Sequence, residues 1–293
     1  MRKKDINKKI FVYVLLLAVS IICILPFMII ISTSLTSEKG MALNGYSIIP
    51  HEINLDSYRY LLKNLNQILS AYGMSIWVAS IGTFAGVTIM TMFAYAISRE
   101  DFKFRKFLSF FAYFTMIFSG GTVATYMWIS RSLHLLNNRW VLVLPLMVSA
   151  YNIFILRVAC KALPIEVIES AKIDGCSELK IFFRIVVPLQ KTVIATISLL
   201  MIFTYWNDWY TSMLYFDTAD KSTIQYYLVR VLNSVNFAKN NAGAAGGAIN
   251  TYDLPSDGIQ MAICVLAVGP MMCVFPFFQK YFVAGINVGA VKG

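Results

Sequence analysis

The chain has 293 residues, of which 58% are hydrophobic and only 14% are charged. Soluble domains carry about 25% charged residues, so a chain this apolar cannot cover itself with polar surface in water. Its aromatic content of 14% also excludes a disordered protein. The composition therefore predicts one compact integral membrane protein.

Six apolar runs are long enough to cross a bilayer, which requires about 20 residues each. In chain order they are residues 10–32, 71–97, 107–129, 140–158, 193–216 and 259–283. The first run is too long for the core of a signal peptide and no small-residue cleavage site follows it, so we expect it to remain as a helix. The sequence thus predicts an all-α membrane protein with six transmembrane helices.

The distribution of positive charge predicts the orientation of these helices. With the N-terminus inside, 17 of the 25 lysines and arginines lie in the inner segments and 8 in the outer ones. Cytoplasmic loops are enriched in these residues, so both termini are predicted to be cytoplasmic. The charges lie between apolar runs and form no patch, so the net charge of +10 does not indicate a nucleic-acid partner.

Residues suited to metal binding or catalysis are sparse. The two histidines, His51 and His134, lie far apart, and the five cysteines include no CxxC pair. We therefore expect no metal site, no disulfide framework and no catalytic residues. The sequence also lacks a nucleotide-binding signature, because the glycine-rich stretch at Gly243, Gly246 and Gly247 has no GK[ST] after it and is predicted to be a flexible loop. If the function of this protein is driven by a nucleotide, that nucleotide must then bind to other chains.

Two outer segments are long enough to hold structure of their own. Residues 33–70 include an apolar-periodic stretch at 58–62 that predicts a short helix at the membrane surface. Residues 217–258 predict a short helix at 225–232, and the flexible loop then begins at Asn240 and Asn241.

The inner segment 160–191 is much longer than the 2–8 residues that join neighbouring helices. Pro164 suits the start of a helix, Gly175 suits a left-handed helix end, and Ser177 can cap a second helix. An apolar stripe at helical spacing follows, formed by Leu179, Phe182, Phe183 and Val186. The pattern predicts a helix, a glycine corner and a helix that protrude into the cytoplasm as a docking element.

The residues of this segment carry a resemblance to a known family. Glu169-Ser170-Ala171, then Gly175, Ile185 and Pro188 have the spacing of the "EAA" loop of ABC-importer permeases, with Ser170 and Val187 in place of alanine and leucine. The resemblance implies that this loop couples the chain to a cleft in an ATPase subunit. The implied coupling residues are Glu169, Ser170, Ala171, Asp174, Gly175, Ile185 and Pro188.

Further motifs resemble MalG-like carbohydrate permeases, and most closely their LplC/YtcP branch. They are residues 54–58, residues 118–122, the Trp206-Asn207-Asp208 signature and the tail from residue 279 to 293. Ala124 stands where the branch often has proline. The resemblance implies the type I ABC importer permease (MetI-like) fold and the import of carbohydrate, with oligosaccharides as the expected substrates.

The resemblance also implies a domain organisation and a set of partners. Residues 1–9 and 284–293 would be cytoplasmic, 10–32 the first helix, 33–70 an outer loop, and 71–283 the permease core with coupling loop 160–191 and outer loop 217–258. The implied partners are a second homologous permease in a heterodimer, two ATPase subunits and an extracellular solute-binding protein in a bacterial plasma membrane. This chain would bind no cofactor, and ATP and Mg²⁺ would belong to the ATPases.

Candidate substrate-contacting residues lie in the fifth run, where Asp208 is the one acid inside a predicted span. Aromatic faces and polar groups of the kind that bind sugars occur together at Trp206, Asn207, Asp208 and Tyr210, and Tyr126 is a further candidate. Three interpretations stay open for these residues: an aromatic belt at the membrane surface, the lining of the substrate pathway, and packing against the partner permease.

Two other classes of function are compatible with six spans. An ion-coupled secondary transporter requires carboxylates in mid-membrane and inverted repeats, whereas this chain offers Asp208 alone. A membrane enzyme acting on lipid-linked sugars requires acids or histidines clustered at a membrane face, and the sequence has no such cluster.

Overall fold

The computed structural model describes residues 3–217, 221–242 and 256–290, and within these ranges all regular structure is helical, which confirms the predicted all-α class. The α-helices are, in chain order, α1 (Lys3–Ser34), α2 (Glu38–Asn44), α3 (Asp56–Leu62), α4 (Leu65–Ser98), α5 (Arg105–Ile117), α6 (Gly121–Met127), α7 (Ala150–Lys161), α8 (Ile165–Ile173), α9 (Glu178–Ile181), α10 (Val187–Leu189), α11 (Lys191–Asn207), α12 (Tyr210–Tyr215), α13 (Ile224–Ala242) and α14 (Ser256–Ala290). Gly243, Gly246 and Gly247, with the last three residues of the tail, lie outside the described residues.

Three helices of the described chain are long and apolar enough to cross a membrane alone: α1, α4 and the Asp257–Gln279 part of α14. Three further crossings are possible if each of three bent helix pairs forms one span. The described helices therefore allow up to six crossings, and the count of six and the cytoplasmic termini stay predictions.

The third predicted span is not one straight helix. Helix α5 ends at Ile117, and the segment from Gly121 to Ser132 continues at 113° to it. The break follows from local backbone conformation, because Phe118 is extended (ψ 122°) and Gly121 has φ 77°, a region that glycine enters without steric cost. Hydropathy detects the length and composition of this run but cannot detect its change of direction.

The fourth and fifth predicted spans are also interrupted. The segment Arg139–Leu146 consists of two 3₁₀ turns, the second containing Pro145, and lies at 53° to α7, whose first turn is capped by Ser149. Helix α11 ends at Asn207, before the predicted end of its run, and lies at 83° to the Glu178–Leu189 segment. Pro188 and Gln190 stand at that second bend, as expected where proline removes a backbone donor from a helix.

The described residues divide into two compact units. The first, Met1–Ile68 and Leu228–Pro270, contains α1 and the predicted surface helix, which is present as α3. The most apolar stretch of α1 has no buried residue, whereas Ser32, Thr33 and Ser34 at the end of the helix are buried. The Tyr58 hydroxyl lies 2.9 Å from the Ser34 hydroxyl, and the backbone N–H of Asp257 donates to the Glu38 carboxylate at 2.6 Å. Helix α13 is longer than predicted, so Asn240 and Asn241 are helical and the prediction of loop there is wrong.

The second unit, Leu69–Tyr227 and Met271–Gly293, holds the largest apolar core, where α4 packs against α11 and the turns before α7. Tyr205 is 1% exposed, and its hydroxyl donates to the carbonyl of Val143 at 2.9 Å. Gly82 of α4 accommodates the Tyr205 ring, since a Cβ there would lie only 2.3 Å from a ring carbon. Small residues on α4 thus permit close helix approach, as is common in membrane interiors.

Candidate functional site

The inner segment folds as the predicted helix, glycine corner and helix, and we call residues 163–189 the elbow. Helix α8 ends at Ile173 with Asp174 as its C-cap, and Gly175 follows with φ 75°. Gly175 N–H donates to Lys172 O and Cys176 N–H donates to Ala171 O, both at 3.0 Å. These two bonds form a Schellman motif, which satisfies the last carbonyls of α8 and reverses the chain. The Ser177 hydroxyl then accepts the Lys180 N–H and caps α9.

The predicted coupling residues differ in exposure. Glu169, Ser170, Asp174, Gly175 and Pro188 are exposed, Ile185 is half-buried, and Ala171 is 7% exposed. Ala171 therefore packs inward and can shape the elbow but not lie on its surface. The most exposed apolar side chain of the elbow is one that the motif did not indicate, Ile173, at 86%.

An apolar base holds the elbow against the end of α4. Ile168, Ala171, Ile181, Phe182 and Val186 form a buried cluster with Tyr95 of α4 and Cys160 of α7. The Phe182 and Tyr95 rings lie 5.9 Å apart. Of the predicted apolar stripe, Phe182 and Val186 are buried, whereas Leu179 and Phe183 are exposed, so the stripe prediction is half correct. The segment Phe182–Val186 is a π-helical turn and so departs from the α-helical register on which the predicted stripe was based.

A network of charges that sequence reasoning missed joins the same elements, and we call it the polar clamp: Tyr95, Arg99, Asp101, Lys172 and Glu178. Arg99 donates to both oxygens of Asp101, at 3.1 and 2.7 Å. Lys172 donates to Asp101 at 3.0 Å and pairs with Glu178 at 2.7 Å. The Tyr95 hydroxyl donates to the second Glu178 oxygen at 3.0 Å.

The charges of the polar clamp keep one another ionised. Hydrogen bonds from Arg99 and then Lys172 hold the pKa of Asp101 well below its usual range. Burial opposes ionisation of Glu178, but hydrogen bonds from Lys172 and Tyr95 outweigh it and lower the pKa, while Glu178 and Asp101 raise the pKa of Lys172. Because the pKa values of the two carboxylates are lowered, their contribution to the stability of the clamp is lost only as the pH falls into the acid range. Because the pKa of Lys172 is raised, its contribution is lost only as the pH rises into the strongly basic range. The clamp is therefore intact across the neutral range.

The predicted substrate residues meet where α11 ends, except for Tyr126. Trp206 is buried, at 4% exposure, beside Tyr72, whereas Asn207 is exposed and its amide donates to the Phe203 carbonyl at 3.0 Å. Tyr210 is 42% exposed. Tyr126 stacks on Tyr215 of α12, with ring centroids 5.5 Å apart. Trp206 and Asn207 thus have structural contacts at the end of α11, and Tyr126 has one with α12.

Asp208 lies between the end of α11 and the start of α12, where the helix is interrupted. Its Oδ1 accepts the Thr211 N–H at 3.1 Å, and its backbone carbonyl accepts the Thr223 hydroxyl at 3.1 Å. A carboxylate in this position satisfies an otherwise unpaired donor at the start of α12. The acid that appears isolated within an apolar run is thus used by the backbone where the helix is interrupted.

We expect Asp208→Asn to retain uptake and thermal stability, because asparagine caps helices about as well as aspartate, and Asp208→Ala to cost about 1 kcal/mol. Thermal unfolding of the purified chain and uptake by the assembled transporter measure the two effects. Loss of uptake by Asp208→Asn at unchanged stability would contradict the capping role and favour contact with substrate.

A groove of about 980 Å³ runs along the second unit between α4, α11, the elbow and residues from Met271 onward. Along α11 it extends from Lys191 to Trp206, a rise of about 22 Å. Its walls are mainly apolar, with hydroxyls contributed by Ser80, Thr83, Thr88, Thr91 and Ser198. Trp206 is the one predicted substrate residue among its lining, so the other four are not brought to this groove.

The profile of the family described as "Binding-protein-dependent transport system inner membrane component" matches residues 68–288. The polygalacturonan/rhamnogalacturonan transport system permease protein YtcP of Bacillus subtilis (strain 168) is 37% identical over 96% of this chain and 97% of that protein. Protein LplC of the same organism is 36% identical over 94% and 91%.

Among solved structures, the chain is similar to one from a bacterial ABC transporter involved in the import of the acidic polysaccharide alginate. The TM-score is 0.80 at 27% sequence identity, and the match covers 96% of this chain and 99% of the other.

Proposed function

Since this chain belongs to the family of binding-protein-dependent transport system inner membrane components, we propose that it is a permease subunit of an ATP-driven importer of oligosaccharides. The relatives support this substrate class, because YtcP is named for polygalacturonan and rhamnogalacturonan transport and the similar structure belongs to an alginate importer. Oligosaccharides released from polygalacturonan are the first substrates to test.

The observation that carries the proposed mechanism is the elbow. It presents Glu169, Asp174 and Ile173 to solvent while an apolar base and the polar clamp attach it to the helices. A rigid protrusion with an exposed tip suits the transfer of motion from another chain. In the proposed cycle, ATPase subunits bind and hydrolyse ATP with Mg²⁺, and their movement alternates the permease between inward-open and outward-open states.

The proposed assembly contains a second homologous permease in a heterodimer, two ATPase subunits and an extracellular solute-binding protein. Its place is the bacterial plasma membrane, which the chain crosses several times with both termini in the cytoplasm. The most apolar stretch of α1, in which no residue is buried, suits contact with lipid or with the second permease. No cofactor is assigned to this chain.

Uptake by proteoliposomes tests the proposed function. The complex is reconstituted with ATP enclosed in the lumen and with the solute-binding protein and labelled oligogalacturonides outside. We expect accumulation only when both enclosed ATP and the binding protein are present. Accumulation driven by an ion gradient without ATP would contradict the proposal, and labelled malto-oligosaccharides provide the comparison for substrate class.

A further inference from the structure

We propose that the polar clamp is a set of positioning residues that makes the elbow and α4 move as one body, so that motion of the elbow reaches the groove wall. This inference rests on the proposed coupling of the elbow to ATPase subunits and adds the route by which that motion enters the membrane. Lys172 directly precedes the exposed Ile173 in the chain, but its ammonium group points to the clamp, where it binds Asp101 and Glu178, and we assign the clamp residues no contact with an ATPase.

Lys172 is the central member of the clamp because it joins three segments of the chain. It lies in the last turn of α8, pairs with Glu178 in the first turn of α9, and donates to Asp101 just beyond α4. The glycine corner stands between Lys172 and Glu178. One ammonium group therefore ties both sides of the corner to each other and to the end of α4.

Two further members fix the clamp to α4. Arg99 immediately follows the helix and holds Asp101 in a two-bond contact while its own side chain is only 13% exposed. Tyr95 lies one turn earlier, where its hydroxyl donates to Glu178 and its ring packs near Phe182 in the apolar base. Polar and apolar contacts thus act on the same helix end.

An isolated exposed ion pair contributes little, because water screens it and two side chains must be ordered. The clamp differs in that its four charges share partners and two of its members, Arg99 and Tyr95, are largely shielded from water. Such networks fix geometry even where the separate pairs are weak. We therefore expect the clamp to hold the elbow and the end of α4 at a fixed distance and orientation relative to each other.

The route from the clamp to the groove is short. Thr91, Thr88 and Thr83 line the groove on α4, and Thr91 lies one helical turn before Tyr95. A helix transmits displacement of its end along its axis because its backbone bonds are continuous.

The test compares ATP hydrolysis with transport in the complete reconstituted complex. Lys172→Met removes the central charge, Lys172→Arg retains it, and Tyr95→Phe removes one hydroxyl from the clamp. Glu100→Gln is the matched control, because it breaks the neighbouring Arg105–Glu100 pair, which does not include the elbow. The readouts are copurification of the ATPase subunits, basal ATP hydrolysis, and stimulation of hydrolysis and uptake by the binding protein with oligogalacturonides.

For Lys172→Met we expect normal copurification and basal hydrolysis with stimulation and uptake reduced about fivefold or more. Tyr95→Phe should show a smaller loss in the same direction, and Lys172→Arg and Glu100→Gln should resemble the unchanged chain. Wild-type stimulation of ATP hydrolysis in both Lys172→Met and Tyr95→Phe would contradict the proposed role of the clamp and leave the proposed function untouched. So would loss of assembly in Lys172→Met with full stimulation in Tyr95→Phe. If the chain without substitutions binds no ATPase subunit, both the proposed function and the proposed role of the clamp are contradicted.

Discussion

Replacement of Ile173 with glutamate is expected to weaken binding of the ATPase subunits about tenfold or more. Burying an isoleucine side chain contributes about 1.5–3 kcal/mol, and each 1.4 kcal/mol corresponds to about tenfold in affinity. Ile173 is 86% exposed at the end of α8, so its substitution removes no packing from this chain. Titration of the purified ATPase against the permease in detergent measures the loss.

Leu43→Glu is the matched control for this prediction. Leu43 is 84% exposed and lies in α2, which belongs to the segment predicted to be outside the cell. The two substitutions change surface charge and hydrophobicity equally, so only a difference in position can separate their effects. Equal affinities for the two variants would contradict docking through the elbow, and so would retained binding after deletion of residues 169–175.

The corner of the elbow could be predicted from sequence because its determinants are local. Gly175 adopts the left-handed conformation that ends α8, and Ser177 accepts a backbone N–H of the next helix. Both effects involve residues no more than a few positions apart, where residue type decides the backbone conformation. The family and its all-α class were likewise correctly predicted, since the motif spacing and the apolar runs are properties of the sequence itself.

The polar clamp could not be predicted, because its members are distant in the chain. Asp101 and Lys172 are 71 positions apart, and Tyr95 and Glu178 are 83 positions apart. In sequence, the charges near the end of α4 resemble any cytoplasmic charges that orient a membrane protein. Only the packing of the apolar base, which brings α8 and α9 to that helix end, turns them into partners.

The interruptions of the spans were missed for a related reason. Gly121 and Pro145 are visible as helix-breaking residues, yet either can be accommodated within a membrane helix when neighbours satisfy the freed backbone groups. Whether a run bends by 113°, as after α5, depends on the backbone conformation that these residues adopt, which their residue type permits but does not decide. Asp208 shows the consequence, since the sequence places it within a span whereas the structure uses its carboxylate to cap the next helix.

Gly86→Ala is expected to destabilise the chain by about 1–3 kcal/mol, because a methyl group at this position has no space. Its Cβ would lie 2.4 Å from the backbone carbonyl oxygen of Met147. A flexible side chain could move aside, but this carbonyl belongs to the interrupted fourth span. The backbone there is held close to α4 by Ser149, whose N–H donates to the Met90 sulfur at 3.3 Å.

Gly73→Ala makes the same substitution in the same helix where nothing lies within 4 Å of the added Cβ. Alanine favours an α-helix over glycine by about 1 kcal/mol, so this variant should gain stability while Gly86→Ala loses it. Thermal unfolding in detergent compares the two, and opposite shifts are expected although each adds one methyl group to α4. An increase in the unfolding temperature for Gly86→Ala would mean that the turns before α7 yield to α4, and the close contact between these elements would then not be what fixes their separation.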